Sequence, residues 1–539
     1  MQPSPTSSPA AVIADATALA GQARTARSIV KASVVLALLA DALFYDFGPM
    51  GFALPLWVGV LTLTAVWLTW SAERAMSREA GVWLTTAVLF ACGAAWRDSE
   101  VLQAFDTLAV LLALALAAIA LHDESLSLFA ARLRDTVWAA LSLARTIAMG
   151  IIPIALRDAF PADARRDARP TLQPILRAVA ITVPLVIIFG SLLLSGDPLF
   201  ASLAPSINVE KVLTHAFTIG FFAWIVGGWA AGALLGRRSW RAPEGTLFTL
   251  GTLDVTVALG TLNVLFGAYV LAQFGWLFGG EELVRARTGL SLATYARTGF
   301  FELVWAALLV IPVLVASRVA LRPGHDVARR HTVLAMPIIG LVIAMLFSAA
   351  SRLSLYVNYF GLTTDRFYPG VFMGWLAVVL VWLGVTVLRG WGRPFVAGAA
   401  ITGLTTLAVL NVANPDVIVA RVNLGRAHPA AGDSGKPVDL GYLARLSGDA
   451  VERVADATLT APSAPEGSPA RAAADSARCD AATSLVDQWS PSSARAVRAE
   501  RPASWRHTNA GEVAGLRAIA ARSPQLRAVK RATCKPAHR

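Results

Sequence analysis

Long apolar runs, repeated along most of the chain, constrain the fold more than any other feature. A transmembrane helix needs about 20 mostly apolar residues to cross roughly 30 Å of hydrocarbon. Of the 539 residues, 56% are hydrophobic and 15% charged, whereas an ordinary soluble domain has about 25% charged residues. This composition excludes a soluble enzyme and indicates a polytopic membrane protein. Eleven runs are long enough to span, at about 29–46, 51–70, 81–96, 103–121, 174–195, 212–236, 249–277, 300–320, 332–352, 369–388 and 395–412.

Each run must be helical in lipid, because unpaired backbone groups cost several kcal/mol there and a helix satisfies them within one segment. The sequence therefore predicts an all-α, polytopic transmembrane helix bundle of eleven spans with a partly disordered polar C-terminal tail. The expected segments are a disordered cytoplasmic tail (1–28), the first four spans (29–121), a basic cytoplasmic segment (122–172), a seven-helix membrane core (173–413) and an extracytoplasmic tail (414–539).

Loop cations predict the orientation. With the N-terminus in the cytoplasm, the inner segments carry 22 Arg or Lys residues and the outer segments 7, as the positive-inside rule requires. Residues 137–156 are long enough to cross but contain Arg145 and Pro153, and if they crossed, the counts would become 14 and 15. We therefore interpret them as an amphipathic helix at the cytoplasmic interface or buried against the bundle. The predicted location is the bacterial cytoplasmic (inner) membrane, with the C-terminus outside the cytoplasm.

The net charge of +12 does not indicate a nucleic-acid partner, because most cations lie in short loops between apolar runs. The expected partners are the lipid bilayer and either a second copy of the chain or another membrane protein. No CxxC pair occurs, and we expect no cofactor and no metal. In the tail, Cys479 and Cys534 allow either a disulfide, in an oxidising compartment, or two free thiols.

Polar residues inside the apolar runs are candidate functional groups, because an ionisable side chain in lipid needs a partner, a wet cavity or a nearby interface. Asp41 either lies near the outer headgroups or lines a cavity, Asp254 caps a helix or pairs with nearby arginines, and His215 lies near the outer end of its span. Asn263 and Gln273 suggest hydrogen bonds between helices. Glycines repeat every four residues on one face of the sixth run and predict close helix packing, at Gly228, Gly232 and Gly236.

The densest polar group lies at the outer ends of the later spans. Arg352, Tyr356 and Tyr359 share one helical face if the ninth helix continues past its apolar stretch, and that face is placed to meet Glu302. Arg presents a planar fork of donors, so the group predicts either an outward-facing pocket for an anionic or zwitterionic ligand or an interfacial belt. Its members are Tyr295, Arg297, Glu302, Arg352, Tyr356, Asn358, Tyr359, Asp365 and Arg366.

Several strings resemble a known family. They are SGDPLF (195–200), YARTGFFEL (295–303), SRLSLYVNYFGLTTDRFY (351–368), NPDVIVARVNL (414–424) and, more weakly, SWRHTN (504–509). Over residues 170–450 the chain is similar to the bacterial multi-pass membrane proteins of the DUF4153 and DUF4173 group, domains of unknown function. The resemblance implies an integral membrane protein and supplies no catalytic residues.

Motifs for nucleotide, zinc-protease and serine-hydrolase chemistry are missing, since the sequence contains no GxxxxGK[ST], HExxH or GxSxG. The leading hypothesis is a non-enzymatic envelope component with a binding or assembly role. The alternatives are a secondary transporter of a small solute, which predicts that Asp41, Asn263 and Gln273 line a wet cavity, and a membrane-embedded enzyme acting on lipid-linked substrates.

Overall fold

In the residues that it describes, the computed structural model consists mainly of helices. It describes residues 9–45, 50–122, 127, 133–150, 209–235, 249–288, 300–322, 324–388, 395–426, 438–461, 469–490, 492–493, 495–496 and 504–534, with isolated positions between 182 and 196. Within these ranges there is no β-strand. The predicted fold class, an all-α helix bundle, is confirmed.

The helices of the described ranges that begin before residue 414 carry most of the apolar sequence. They are α1 (Pro9–Phe44), α2 (Ala53–Ser71), α3 (Arg78–Trp96), α4 (Glu100–His122), α5 (Leu133–Met149), α6 (Val209–Leu234), α7 (Thr252–Thr288), α8 (Phe300–Val319), α9 (His325–Phe360), α10 (Thr364–Thr386) and α11 (Phe395–Ala413).

Nine of these described helices, α2–α4 and α6–α11, are long and apolar enough to cross a membrane. They coincide with nine of the eleven predicted runs. The first predicted run, 29–46, lies mostly in α1, where the uncharged stretch between Lys31 and Asp41 is shorter than a span. The run at 174–195 lies largely outside the described residues.

Large apolar side chains on these helices face outward. Leu63 and Trp70 on α2 are 70% and 77% exposed, and Val264 and Leu271 on α7 are both 73% exposed. Apolar surfaces of this extent are unfavourable in water and are suited to lipid. The protein is therefore a multi-pass membrane protein.

Helix α5 covers most of the ambiguous 137–156 segment, and it packs against α6. The Trp224 indole Nε1 donates to the Ile147 carbonyl at 3.0 Å. A Cβ added at Gly228 would lie 2.7 Å from the Ile147 Cα atom, so this glycine permits the close approach of the two helices. Other α5 side chains, such as Leu141 and Met149, are exposed. The placement of 137–156 at the interface or against the bundle therefore stays a prediction.

The chain divides into two compact units, each discontinuous in sequence: 1–88, 111–125 and 139–240 in the first, and 89–110, 126–138 and 241–539 in the second. In the first unit α1 packs against α2 and α6. Phe44, Trp57 and Phe222 form an aromatic cluster there, with ring centroids 5.3 to 6.3 Å apart. Arg74 donates to the carbonyl groups of His122 and Leu234 at the C-terminal ends of α4 and α6, where a cation is favourable.

The described residues of the second unit form two hydrophobic cores. The core of α7–α11 includes the fully buried Leu314, Ile338 and Leu376. The other belongs to what we call the tail domain, formed by α12 (Pro415–Arg426), α13 (Leu440–Leu443), α14 (Gly448–Thr460), α15 (Pro469–Trp489) and α16 (Ala510–Thr533). Its buried residues include Val419, Leu443, Val454, Leu485, Trp489, Ile519 and Leu526.

The tail domain contains more structure than the sequence patterns predict. Short helical patterns in the sequence at 440–456 and 512–521 predict helices in the tail, and α14 and α16 overlap them. Helix α15, in contrast, begins within the Pro-, Ser- and Ala-rich stretch near 461–475, in a tail whose sequence predicts a mixture of linker and folded parts. Its Ala481, Leu485 and Trp489 are almost fully buried. Tertiary packing therefore stabilises this helix, although its local sequence does not indicate that it belongs to a hydrophobic core.

Three glycines let α14 approach α16. A Cβ at Gly448 would lie 2.4 Å from the Gly511 carbonyl oxygen, and one at Gly515 would lie 2.8 Å from the Trp489 ring. Real Cβ atoms do not approach other atoms so closely, because the repulsion is steep. Glycine at these positions therefore allows the N-terminal ends of the two helices to meet over Trp489.

Candidate functional site

Two of the predicted intramembrane residues, Asp41 on α1 and His215 on α6, form a pair. The His215 Nδ1 atom lies 2.9 and 2.8 Å from the two Asp41 carboxylate oxygens, and the Tyr45 ring stacks on the imidazole with centroids 4.7 Å apart. The Asp41 side chain is 14% exposed and that of His215 is 40% exposed. A carboxylate on Nδ1 orients the ring and makes Nε2 the more accessible nitrogen.

The two amide side chains of α7 form hydrogen bonds with the neighbouring helix α9. The Asn263 Nδ2 atom donates to the Leu334 carbonyl of α9 at 2.7 Å. The Gln273 Oε1 atom accepts from Ser348 Oγ of α9 at 3.2 Å. Asp254 accepts from the Gly251 backbone N–H at 2.8 Å, as an acidic residue capping the first turn of a helix does.

Arg352 has a different partner from the one we expected. Helix α9 does continue past its apolar stretch, but the Arg352 guanidinium donates to Gln273, whereas Glu302 is exposed in the first turn of α8. A buried guanidinium requires acceptors, and the α7 amide lies directly beside it. The structure thus joins two residues that we had assigned to separate groups.

The remaining members of the predicted outer group lie around the end of α9. The Arg366 guanidinium stacks over the Tyr356 ring at 4.3 Å, a cation–π contact. The Asn358 carbonyl accepts from Arg426 at 2.8 Å, and Asp365 is exposed. Outside the described residues lie Tyr295, Arg297, the side chain of Tyr359 and, from the glycine series, Gly236.

The remaining glycine and the two tail cysteines have direct partners. The Gly232 carbonyl on α6 lies 2.7 Å from the His122 ring nitrogen of α4. Cys479 on α15 and Cys534, at the end of α16, form a disulfide with Cα atoms 5.1 Å apart. The disulfide links the two long helices of the tail domain.

A larger polar constellation lies in the second unit, where the turn between α3 and α4 meets the tail domain. We call it the polar junction, and its residues are almost all buried. It consists of Arg97, Asp98, Ser99, Asp106, Tyr368, Asn411, Asp416, Asp449 and Asn509.

Arg97 connects the end of a membrane helix to the tail domain. Its Nε atom donates to the Asn411 carbonyl at 2.7 Å, and its Nη1 atom lies 3.2 Å from Asp449 Oδ1. The guanidinium also stacks on the Trp96 ring at 3.8 Å. One cation therefore satisfies the carbonyl end of α11, where positive charge is favourable, and pairs with an acid of α14.

Asp98 binds the beginnings of two tail-domain helices. Its Oδ2 atom accepts from the backbone N–H of Gly448 at 2.7 Å, and its Oδ1 atom accepts from the Asn509 amide at 3.0 Å. Asn509 itself caps α16, since its Oδ1 accepts from the Glu512 N–H at 2.7 Å. Asp449 returns the contact by accepting from the Asp98 N–H at 2.8 Å.

Burial sets the electrostatics of the acids outside the membrane helices. It raises the pKa of Asp98 above the ordinary value of 3.8, although the hydrogen bonds from Gly448 and Asn509 and the charge of Arg495 lower it. Burial likewise raises the pKa of Asp416, which accepts hydrogen bonds from Ser447 that lower it. In both residues desolvation of the charged form is the dominant effect.

The membrane side of the polar junction is a bond between two helices. The Asn411 Nδ2 atom of α11 donates to Asp106 Oδ1 of α4 at 2.7 Å. Nearer the turn, Ser99 Oγ lies 3.3 Å from the Tyr368 hydroxyl of α10. Asp106 is 0% exposed, and it is the most deeply buried acid of the polar junction.

We did not single out the polar junction from the sequence. Asp106 and Asn411 lie inside predicted runs, and the rule that selected Asp41 applies to them equally. Asp416 and Asn509 belong to the quoted strings NPDVIVARVNL and SWRHTN, which we used only as signs of resemblance. Asp98 and Asp449 carry no local signal, because each is a polar residue near a helix end.

The arrangement is suited to holding helices together. Its donors and acceptors bind one another and the ends of α11, α14 and α16. Among the residues that the structure describes, no three His, Cys, Asp or Glu side chains are placed to hold a metal ion. The chemistry that these groups support is therefore ion pairing, helix capping and proton binding.

Comparison with known proteins identifies a protein family to which the chain is similar. No curated protein and no solved structure matches the chain. The family model described as "Domain of unknown function (DUF4153)" matches residues 84–457, a range that runs from within α3 to within α14 and includes all of the polar junction except Asn509. Since this match covers more than half of the chain, the protein belongs to the DUF4153 family.

Proposed function

We propose that this protein is a non-enzymatic component of the bacterial inner membrane with a binding or assembly role in the cell envelope. In this proposal the N-terminus is cytoplasmic, and the tail domain lies outside the cytoplasm. The excess of cations in the inner segments supports the orientation. The disulfide of Cys479 and Cys534 supports it independently, because disulfides persist in oxidising compartments.

The proposal of a binding or assembly role rests on one observation, which is that the polar junction attaches the tail domain to the membrane helices. Arg97, Asp98 and Asp449 bind helix ends and one another, and these contacts hold the tail domain on the membrane helices. A folded domain held in this way offers a surface to a partner. Binding or assembly is the role that such a construction supports best.

The amides of α7 argue against a path through the bundle. Asn263 and Gln273 were the residues that a transporter would place in a wet cavity, and both bond to α9. Hydrogen bonds of this kind between membrane helices contribute roughly 1 kcal/mol each. Because these amides link helices, they favour a binding or assembly role over transport.

Transport of a small solute is the second candidate, and the Asp41–His215 pair favours it. Ionisable pairs on membrane helices often mark ion or proton paths. The more exposed His215 side chain gives the pair access to its surroundings. A transport role requires this pair to face water, as it requires of Asn263 and Gln273 on α7.

Water access along α7 separates the two candidates. In a Cys92→Ser background, Asn263→Cys and Gln273→Cys would be treated with a small water-soluble maleimide in intact membranes. Arg453→Cys is the matched control, because Arg453 is exposed on α14. We expect the control to react quickly and the two α7 positions to stay unlabelled. Labelling of the α7 positions at the control's rate would support a transporter and contradict the binding role.

A further inference from the structure

The meeting point of α3, α4 and α11 in the second unit contains an incomplete hydrogen-bond pair. Asp106 on α4 is 0% exposed, and Asn411 on α11 is 6% exposed. The Asn411 amide donates to Asp106 Oδ1 at 2.7 Å. Within the described part of the chain, the other two oxygens of the pair, Asp106 Oδ2 and Asn411 Oδ1, are buried and have no hydrogen-bond partner.

The two unpartnered oxygens converge on the same glycine. A Cβ added at Gly93 of α3 would lie 3.0 Å from Asp106 Oδ2 and 3.1 Å from Asn411 Oδ1. They therefore lie on the same side of the Asp106–Asn411 pair. Two acceptors in this position repel each other unless a hydrogen lies between them.

The charges around Asp106 do not balance an ionised carboxylate. Among the described residues no cation forms an ion pair with Asp106. Arg97, which directly follows α3, donates to Asp449 and to the Asn411 carbonyl. The Tyr368 hydroxyl of α10 interacts electrostatically with Asp106 and also with Asp416 and Asp449. A buried carboxylate without a paired cation is strongly unfavourable.

We propose that Asp106 is a proton-binding site. In the folded protein its carboxyl group is neutral, and the Oδ2–H donates to Asn411 Oδ1. Together with the existing bond from Asn411 Nδ2, this closes a two-bond acid–amide pair. The proton is the ligand, and Asn411 is the positioning residue that selects the neutral form.

The proton-binding site is linked to the tail domain through Asn411. The side chain of Asn411 pairs with Asp106, and its carbonyl oxygen accepts from Arg97, which holds Asp449. Loss of the proton would place two repelling acceptors against Gly93 and weaken this end of α11. The inference goes beyond the binding role proposed above and does not depend on it.

Infrared spectroscopy tests the proposal directly. The purified full chain in lipid nanodiscs should show, at neutral pH, the C=O stretch of a protonated carboxylic acid, and subtraction of the Asp106→Asn spectrum should isolate that band. Asp106→Asn should also retain the thermal-unfolding midpoint, because its amide N–H takes the place of the acid O–H. In the control Asp487→Asn, which changes an exposed carboxylate of α15, the band should remain. An unchanged acid band in Asp106→Asn would overturn the proposal.

A second variant keeps the test valid if Asp106→Asn does not fold. Asn411→Leu removes the acceptor but leaves the acid, so the band should persist and move to the higher frequency of a free carboxyl group. A band that does not move would overturn the acid–amide pair. Absence of any acid band in the wild-type protein at neutral pH would overturn the site itself.

Discussion

Arg97 and Asp98 occupy a turn of three residues between two membrane helices, and they bind partners more than 300 positions away in the chain. Arg97 pairs with Asp449, and Asp98 binds Gly448 and Asn509. Asp98 precedes α4 and Gly448 begins α14, so carboxylates and free N–H groups of helix ends meet here. Local sequence could identify these residues only as polar positions at helix ends.

The buried Arg97–Asp449 pair predicts a large effect of a small change. Asp449→Asn keeps an acceptor for the Asp98 N–H but removes the counter-charge of Arg97, and both side chains are nearly buried (11% and 6% exposed). We expect the free energy of unfolding to fall by about 3 kcal/mol. Chemical unfolding of the purified protein, followed by protease cleavage of the tail domain, would measure it.

An exposed ion pair of the same domain is the control for that prediction. Arg522 pairs with Glu452, which is 68% exposed. Glu452→Gln should therefore change stability by less than about 1 kcal/mol. Equal effects of the two substitutions would show that Asp449 is not part of a desolvated pair.

The raised pKa of Asp416 predicts a pH dependence. A carboxyl whose pKa is higher in the folded state binds its proton more tightly there, so its contribution to stability is complete below the ordinary pKa of 3.8 and is lost as the pH rises through the raised pKa. The tail domain should therefore be more stable in mild acid than at neutral pH. Asp416→Asn should reduce this dependence, leaving the part due to Asp98.

Thermal-unfolding midpoints measured from mild acid to neutral pH would check this prediction. Asp487→Asn, which removes an exposed carboxylate of α15, is the comparison and should keep the slope of the wild-type protein. If Asp416→Asn also kept that slope, the tail-domain dependence could not arise from the buried acid.

At the scale of elements, the membrane helices were predictable and the tail domain was only partly so. Helices α2–α4 and α6–α11 follow apolar runs, because lipid demands both length and internal hydrogen bonding of each span. Helix α15 has no such local requirement. It is stabilised by the burial of Leu485 and Trp489 against helices that are distant in sequence.

The disulfide between α15 and α16 predicts a measurable loss on reduction. It closes a loop of 55 residues, and in the chain-entropy model such a link stabilises by about 4 kcal/mol. Cys479→Ser should lower the stability of the tail domain by up to that amount and increase its rate of proteolysis. Cys92→Ser, at the exposed free cysteine of α3, should have no comparable effect. Similar proteolysis of both variants would contradict a stabilising role for the disulfide.

At the scale of the whole molecule, the side of the tail domain depends on how many times the chain crosses the membrane. The described helices supply nine candidate spans, and the proposal of an external tail requires an odd total when the N-terminus is cytoplasmic. Loop cations support that arrangement. The number of spans in the whole chain is therefore the quantity to test.

A C-terminal alkaline phosphatase fusion tests the orientation, because this enzyme is active only outside the cytoplasm. We expect activity from the fusion at the end of the chain. A fusion after Arg238, in the segment predicted to be cytoplasmic, should be inactive. The reverse pattern would place the tail domain in the cytoplasm and would contradict the orientation that we propose.

The sequence by itself determined that the protein lies in a membrane and that it is helical, because transfer into lipid depends on the composition of each run and requires no knowledge of its neighbours. The tertiary structure alone decided which polar groups meet. Asp98 and Asn509 are 411 positions apart, and Gln273 rather than Glu302 bonds to Arg352. Hydrogen bonds and ion pairs require atoms within about 3 Å, and only the packing of the helices brings such atoms together.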